Sequence, residues 1–93
     1  MADKETLHYQ QSGQAKLKKV GSDMAVYVKE QKAIHVLNQT AYLLFELMKE
    51  PVSFDEMVIV VQEATNADEK TVRQDLKETI KQFLKHKIIQ IVK

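Results

Sequence analysis

The apolar and polar positions along this chain change period partway through. From Gln14 to Val20 and from Met24 to Lys29 they alternate. Ala15, Leu17 and Lys19 fall on one face of the first segment, and Met24, Val26 and Val28 oppose Ala25, Tyr27 and Lys29 in the second. A period of two predicts strands, and Gly21-Ser22-Asp23 between them supplies the glycine that a hairpin turn favours. A turn without glycine, Glu30-Gln31-Lys32, leads to a third predicted strand, Ala33 to Leu37. The three strands are expected to form a small antiparallel meander. Asn38 then stops the third strand with no loop, and its side chain is suited to accept a hydrogen bond from the first turn of a helix. Leu37 and Tyr42 occupy the positions of a hydrophobic staple around that cap.

Beyond Asn38 the period is helical, with Ala41, Leu44, Phe45 and Met48 on one face. This helix is expected to run to about Lys49, because the residue before Pro51 disfavours helical angles. Ser53-Phe54-Asp55-Glu56 is a capping box for a second helix, which reaches about Ala64 and buries Phe54, Met57, Val58 and Val61. The segment from Thr65 to Lys70 ends it and starts a third, capped either by Asn66 with Glu69 or by Asp68. The third helix, about Glu69 to His86, carries the stripe Val72, Leu76, Ile80 and Phe83. One flank holds Lys77, Lys81 and Lys85, and the other Asp75, Thr79 and His86. The final Lys87-Ile88-Ile89-Gln90-Ile91-Val92 reads as a terminal strand or extended tail. Residues 1–13 are polar apart from isolated apolar positions such as Leu7 and Tyr9, and are expected to be a flexible tail before a domain at 14–93. Segregated strands and helices make the predicted class α+β, a winged helix-turn-helix-like fold with a three-stranded antiparallel sheet followed by three helices.

Composition narrows the chemistry. The 93 residues suit one domain. There is no cysteine, and His8, His35 and His86 show no ligand spacing, so no metal and no cofactor is expected. No apolar run approaches membrane-spanning length and the start lacks the apolar stretch of a secretion signal, so a cytoplasmic location with no membrane partner is expected. Asn38-Gln39-Thr40 is therefore read as a helix cap, not a glycosylation acceptor. Ser12, Ser22 and Ser53 fall in tail, turn and cap positions. The only glycines are Gly13 and Gly21, and Asp55-Glu56 and Asp68-Glu69 sit in first helical turns, where they favour the helix dipole. No nucleophile stands beside a base and no glycine-rich loop awaits a phosphate, so no catalytic residue is assigned and the chain reads as a non-enzyme. His35 is expected to point away from the helices, as a rim residue able to line a binding edge.

Two surfaces compete for a binding role. The Lys77, Lys81, Lys85 row would suit a DNA-reading helix. However, Asp75, Glu78 and Glu69 share that helix, 14 Lys plus Arg are nearly balanced by 13 Asp plus Glu, and Arg73 is the single arginine. A solvated lysine face is the favoured reading. The alternative surface is the third strand. It carries no Pro and no Lys between Ala33 and Leu37, so an outer edge there would be open to a visiting strand. The third helix would form the wall, with Val72, Leu76 and Thr79 as floor and Asp75 as a charge. Coverage of that edge by the terminal strand or tail stands equally open, and so does dimerisation through it.

The stretches "VLNQTAYLLFELMKEPVSFDEM" and "VRQDLKETIKQFLKHKIIQIV" resemble the PqqD-like family. The matching positions are Leu37, Asn38, Thr40, Ala41, Phe45, Glu56, Asp75, Leu76, Phe83, Leu84 and Ile89, and the resemblance runs from about Lys16 to Val92. It implies a winged helix-turn-helix variant that serves as a RiPP recognition element: a non-catalytic chaperone that binds the leader segment of a ribosomally made precursor peptide. The leader would add to the third strand and be presented to a modifying enzyme such as a radical SAM protein, a cyclase or a leader peptidase. Carried over by position, the peptide-binding residues would be Ala33, Ile34, His35, Val36, Leu37, Val72, Asp75, Leu76, Thr79 and Phe83. The chain departs from the family pattern at Glu50-Pro51, where Asp-Gly is common, and at Lys87, where Gly is common.

Overall fold

In the computed structural model, which describes residues 7–92, the chain runs β1 (His8–Gln11), β2 (Ala15–Val20), β3 (Asp23–Val28), β4 (Ala33–Leu37), α1 (Gln39–Leu47), β5 (Val52–Ser53), α2 (Phe54–Thr65), α3 (Glu69–Lys85) and β6 (Ile89–Val92). The three predicted strands are β2, β3 and β4, paired antiparallel in that order. Gly21, at φ +63°, turns β2 into β3 and closes the pair Val20↔Asp23. The turn into β4 has no glycine, and Lys32 takes the left-handed conformation there, at φ +51°. Register puts Leu17, Val26 and His35 in one row beneath the sheet, and Lys18, Ala25 and Val36 in a row on its outer face. The fold is the expected α+β arrangement, extended by a second small sheet.

That second sheet, in the order β5-β1-β6, corrects part of the expected tail. Residues 8–11 form a central strand, pairing His8 with Ser53 and with Val92, and Gln11 with Ile89. The sequence pattern missed it because its partners lie far along the chain and its last two residues are glutamines, not an alternating apolar set. Those glutamines work as donors. The Gln11 amide side chain donates to the Phe45 carbonyl at 2.7 Å, its backbone N–H donates to Met48 at 2.8 Å, and the Gln10 side chain reaches the Lys49 carbonyl. They donate to carbonyls at and just past the end of α1, where intrahelical donors run out. Met1–Thr6, the rest of the expected tail's start, lie outside the described residues.

The helices begin where their caps predict. Ala41 N–H donates to Asn38 Oδ1 at 2.8 Å. Ser53 and Glu56 exchange both bonds of a capping box. Of the two caps considered for α3, Asp68 is the one used: it accepts from the Thr71 hydroxyl at 2.7 Å. Asn66 instead closes α2 in the left-handed conformation, at φ +60°. The core joins one face of each layer: Val26 and Val28 from the sheet, Leu44, Phe45 and Met48 from α1, Met57, Val58 and Val61 from α2, and Val72, Leu76, Ile80 and Phe83 from α3. Each large side chain fully withdrawn from water contributes on the order of 1.5–3 kcal/mol. No helix of the described residues is long and apolar enough to cross a membrane.

Candidate peptide groove at the β4 edge

The β2-β3-β4 sheet has two outer edges, and they differ in chemistry. Along β2, Lys16, Lys18 and Lys19 are exposed, a charge pattern that deters a further strand. Along β4 there is neither lysine nor proline, while Ile34 and Val36 are 55% and 64% exposed. The terminal strand β6 pairs with β1, so among the described residues nothing pairs with the outside of β4.

The backbone groups at that edge follow from alternation. Val20↔Asp23 closes the β2–β3 hairpin, and Lys29 N–H donates across to the Gln14 carbonyl at 3.0 Å. The odd-numbered positions of β3 therefore bond to β2, and Met24, Val26 and Val28 bond to their partners Leu37, His35 and Ala33. Ile34 and Val36 are left with outward-facing N–H and C=O groups. The strand continues without a loop into the capped start of α1, so this edge is held at one end by a packed helix.

Between β4 and α3 lies a groove of about 290 Å³. The strand side supplies His35, Val36 and Leu37, the junction supplies Asn38 and Ala41, and the far wall is Thr79, Gln82, Phe83, His86 and Ile88. A second depression of about 320 Å³ adjoins it, sharing Asn38 and Thr79 and adding Thr40, Asp75 and Glu78. His35 does not point away from the helices as expected. It lies in the row with Val26 and meets His86 at the end of α3, ring centroids 4.5 Å apart and tilted by 38°. Its Nε2 is sealed from solvent and has no hydrogen-bond partner. Burial, and then the neighbouring His86, pull the His35 pKa below its ordinary value of 6.5.

The ten residues expected at the site thus separate. His35, Val36, Leu37, Thr79 and Phe83 meet in the groove, and Asp75 lines the adjoining depression. Ala33 and Ile34 continue the edge strand. Val72 and Leu76 are 2% and 0% exposed and belong to the core, because the apolar stripe of α3 is needed against α1 and α2. Sequence reasoning omitted Asn38, Ala41, Gln82, His86 and Ile88. The signal for His86 and Gln82 was present in the helical spacing from Thr79 through residues 82 and 86, on the flank facing β4. Among the described residues, no three His, Cys, Asp or Glu side chains gather as a metal site.

These features define a winged helix-turn-helix domain whose distinguishing surface is an open strand edge beside a groove. The chain belongs to the PqqD family: the family model described as coenzyme PQQ synthesis protein D matches residues 23–89. The match takes in β3 through the start of β6, and so both walls of the groove. Among solved structures the chain is similar to TbiB1 in complex with the TbiA(beta) leader peptide. The TM-score is 0.77 at 14% identity, covering 87% of this chain and 94% of that one. At that identity the likeness is one of fold. No curated protein matches the chain significantly in sequence.

Proposed function

We propose that this protein is a non-catalytic chaperone of a ribosomally synthesised precursor peptide. The leader segment of the precursor adds as a strand to the outer edge of β4, lies against α3, and is presented to a modifying enzyme such as a radical SAM protein, a cyclase or a leader peptidase. The observation that carries this reading is the pair of outward-facing backbone positions, Ile34 and Val36, on an unguarded edge beside an open groove. Main-chain bonds along such an edge give affinity, and pockets for alternate side chains give selectivity. Family membership and a fold neighbour captured with a leader peptide support the same reading.

The experiment is a titration of the isotope-labelled protein with the leader segment of its cognate precursor peptide. Backbone shifts are expected to concentrate at 33–38 and 79–88. Val36→Pro is the decisive variant. It removes an N–H that faces outward, so the β3–β4 ladder is kept and the chain should still fold. Leader affinity should fall at least tenfold. Unchanged affinity in a folded Val36→Pro protein, or saturation by leader without shifts at β4, would overturn strand addition.

A further inference from the structure

The groove contains a titratable element that strand addition alone leaves unused, the His35–His86 pair. Two imidazoles in ring contact line the same concavity, and one of their nitrogens is sealed without a partner. The sealed His35 Nε2 is out of a ligand's reach, but both rings are only partly buried and line the groove, so a visiting side chain would meet their open parts. The surroundings say what charge would suit them. Among the described residues, the two imidazoles are the only titratable side chains lining this groove. Lys85 and Lys87 flank His86 in sequence and are exposed, and the faces of β3 and α3 nearest the pair contribute Val26, Phe83 and Gln82, none of them acidic. The adjoining depression has the opposite character, with Asp75 and Glu78 and no cation among its lining residues.

We infer that the His35–His86 pair is a subsite for a carboxylate side chain of the bound peptide, and that Asp75 and Glu78 next to it fix the register by rejecting that same side chain. The inference rests on the strand-addition reading above and names the chemistry of the peptide it would take. An acidic side chain seated at the imidazoles accepts hydrogen bonds from them and favours the protonated form. A strand slipped toward the start of α1 would carry that carboxylate from beside His35 to beside Asp75 and Glu78. Like charges would then face each other. Backbone pairing by itself specifies register weakly, so a charged pair of opposite preferences along the groove supplies the missing restraint.

Binding should therefore take up a proton. The carboxylate raises the proton affinity of the pair in the complex, so affinity is full below the bound-state titration and is lost as pH rises through it.

The test uses calorimetry of the full chain with the same cognate leader, from pH 8 to pH 6, in buffers of differing ionisation heat. A matched leader carries Asn or Gln at its acidic positions. The acidic leader is expected to bind roughly tenfold tighter at pH 6 than at pH 8, within the range of common linkage factors, with net proton uptake. The amide leader, and the acidic leader against His86→Gln, should lose most of both effects. His86 caps the exterior end of α3, so that variant should fold even if His35→Gln does not. Leader binding at β4 with no proton uptake, or with pH dependence unchanged in His86→Gln, overturns the subsite and leaves strand addition standing. Absence of leader binding at every pH, by contrast, removes strand addition and the subsite with it.

Discussion

Lys87 is one of two places where the sequence departs from the pattern it resembles, and the structure gives that departure an energetic meaning. It sits at φ +61° just past the end of α3. Ile88 N–H donates to the Phe83 carbonyl at 2.8 Å and Lys87 N–H to the Leu84 carbonyl at 3.1 Å, the paired bonds of a Schellman motif. The turn geometry is kept while a side chain bears the left-handed strain. Lys87→Gly should raise stability by about 0.5–1 kcal/mol, the relief of that strain less the backbone freedom glycine must give up. Chemical denaturation checks it, and an unchanged or lower midpoint would refute the strain. At His35 the sign of a pH effect is equally definite. Its pKa is lowered in the fold, so the unfolded chain binds the proton more readily. Stability should be full above 6.5 and decline as pH falls below it. Thermal midpoints at pH 7.5 and 5.5 measure this, and His35→Gln should flatten the difference in that window. Glu56, whose carboxyl is held below the usual range by its bonds with Ser53, loses its share only at more acid pH.

At the scale of elements, α3 divides its labour between two surfaces. Val72, Leu76, Ile80 and Phe83 anchor it in the core, while Thr79, Gln82 and His86 look into the groove and Lys77, Lys81 and Lys85 are exposed. Phe83 alone serves both surfaces. The division predicts separable phenotypes. Leu76→Ala should cost about 2–5 kcal/mol of stability, as buried leucine truncations do, with leader affinity per folded molecule little changed. Thr79→Arg should leave the denaturation curve almost where it was and weaken leader binding by filling the groove. Urea melts paired with leader titrations on both variants distinguish the surfaces, and a Leu76→Ala protein that folds normally yet loses leader binding would contradict the assignment. β4 owes its role to position as well as composition. It is an edge because β6 turns away to pair with β1, and β1 is held against the end of α1 by Gln10 and Gln11.

For the whole molecule, charge argues against the winged helix as a DNA reader. The single arginine is tied into the protein itself: its Nη1 meets Asp55 at 3.0 Å and its Nε meets Glu69 at 2.8 Å. With 14 basic residues against 13 acidic ones there is no long-range field to gather phosphates. Duplex binding at low salt should be undetectable, and replacing Lys77, Lys81 and Lys85 by Gln should leave leader affinity unaffected. Tight duplex binding that falls steeply with salt and vanishes in that triple variant would instead favour the DNA reading. Dimerisation through β4 is separable by light scattering: a dimer dissociated by leader would mean that two copies share the edge proposed for the leader.

Much of this architecture was legible in the sequence because it is written in local chemistry. Alternation predicted β2, β3 and β4; Asn38 and the Ser53–Glu56 box marked helix starts; Pro51 and the absence of Pro and Lys in β4 spoke for themselves. Each depends on residues within a few positions of one another, and local spacing carries that information. What the tertiary structure alone decided is what lies beside what. That residues 8–11 form a strand, that β6 leaves β4 uncovered, that Val72 and Leu76 go to the core, and that His35 turns inward to meet His86 all depend on contacts between distant parts of the chain. Such pairings are selected by the joint packing of the elements, and no single element's pattern contains them.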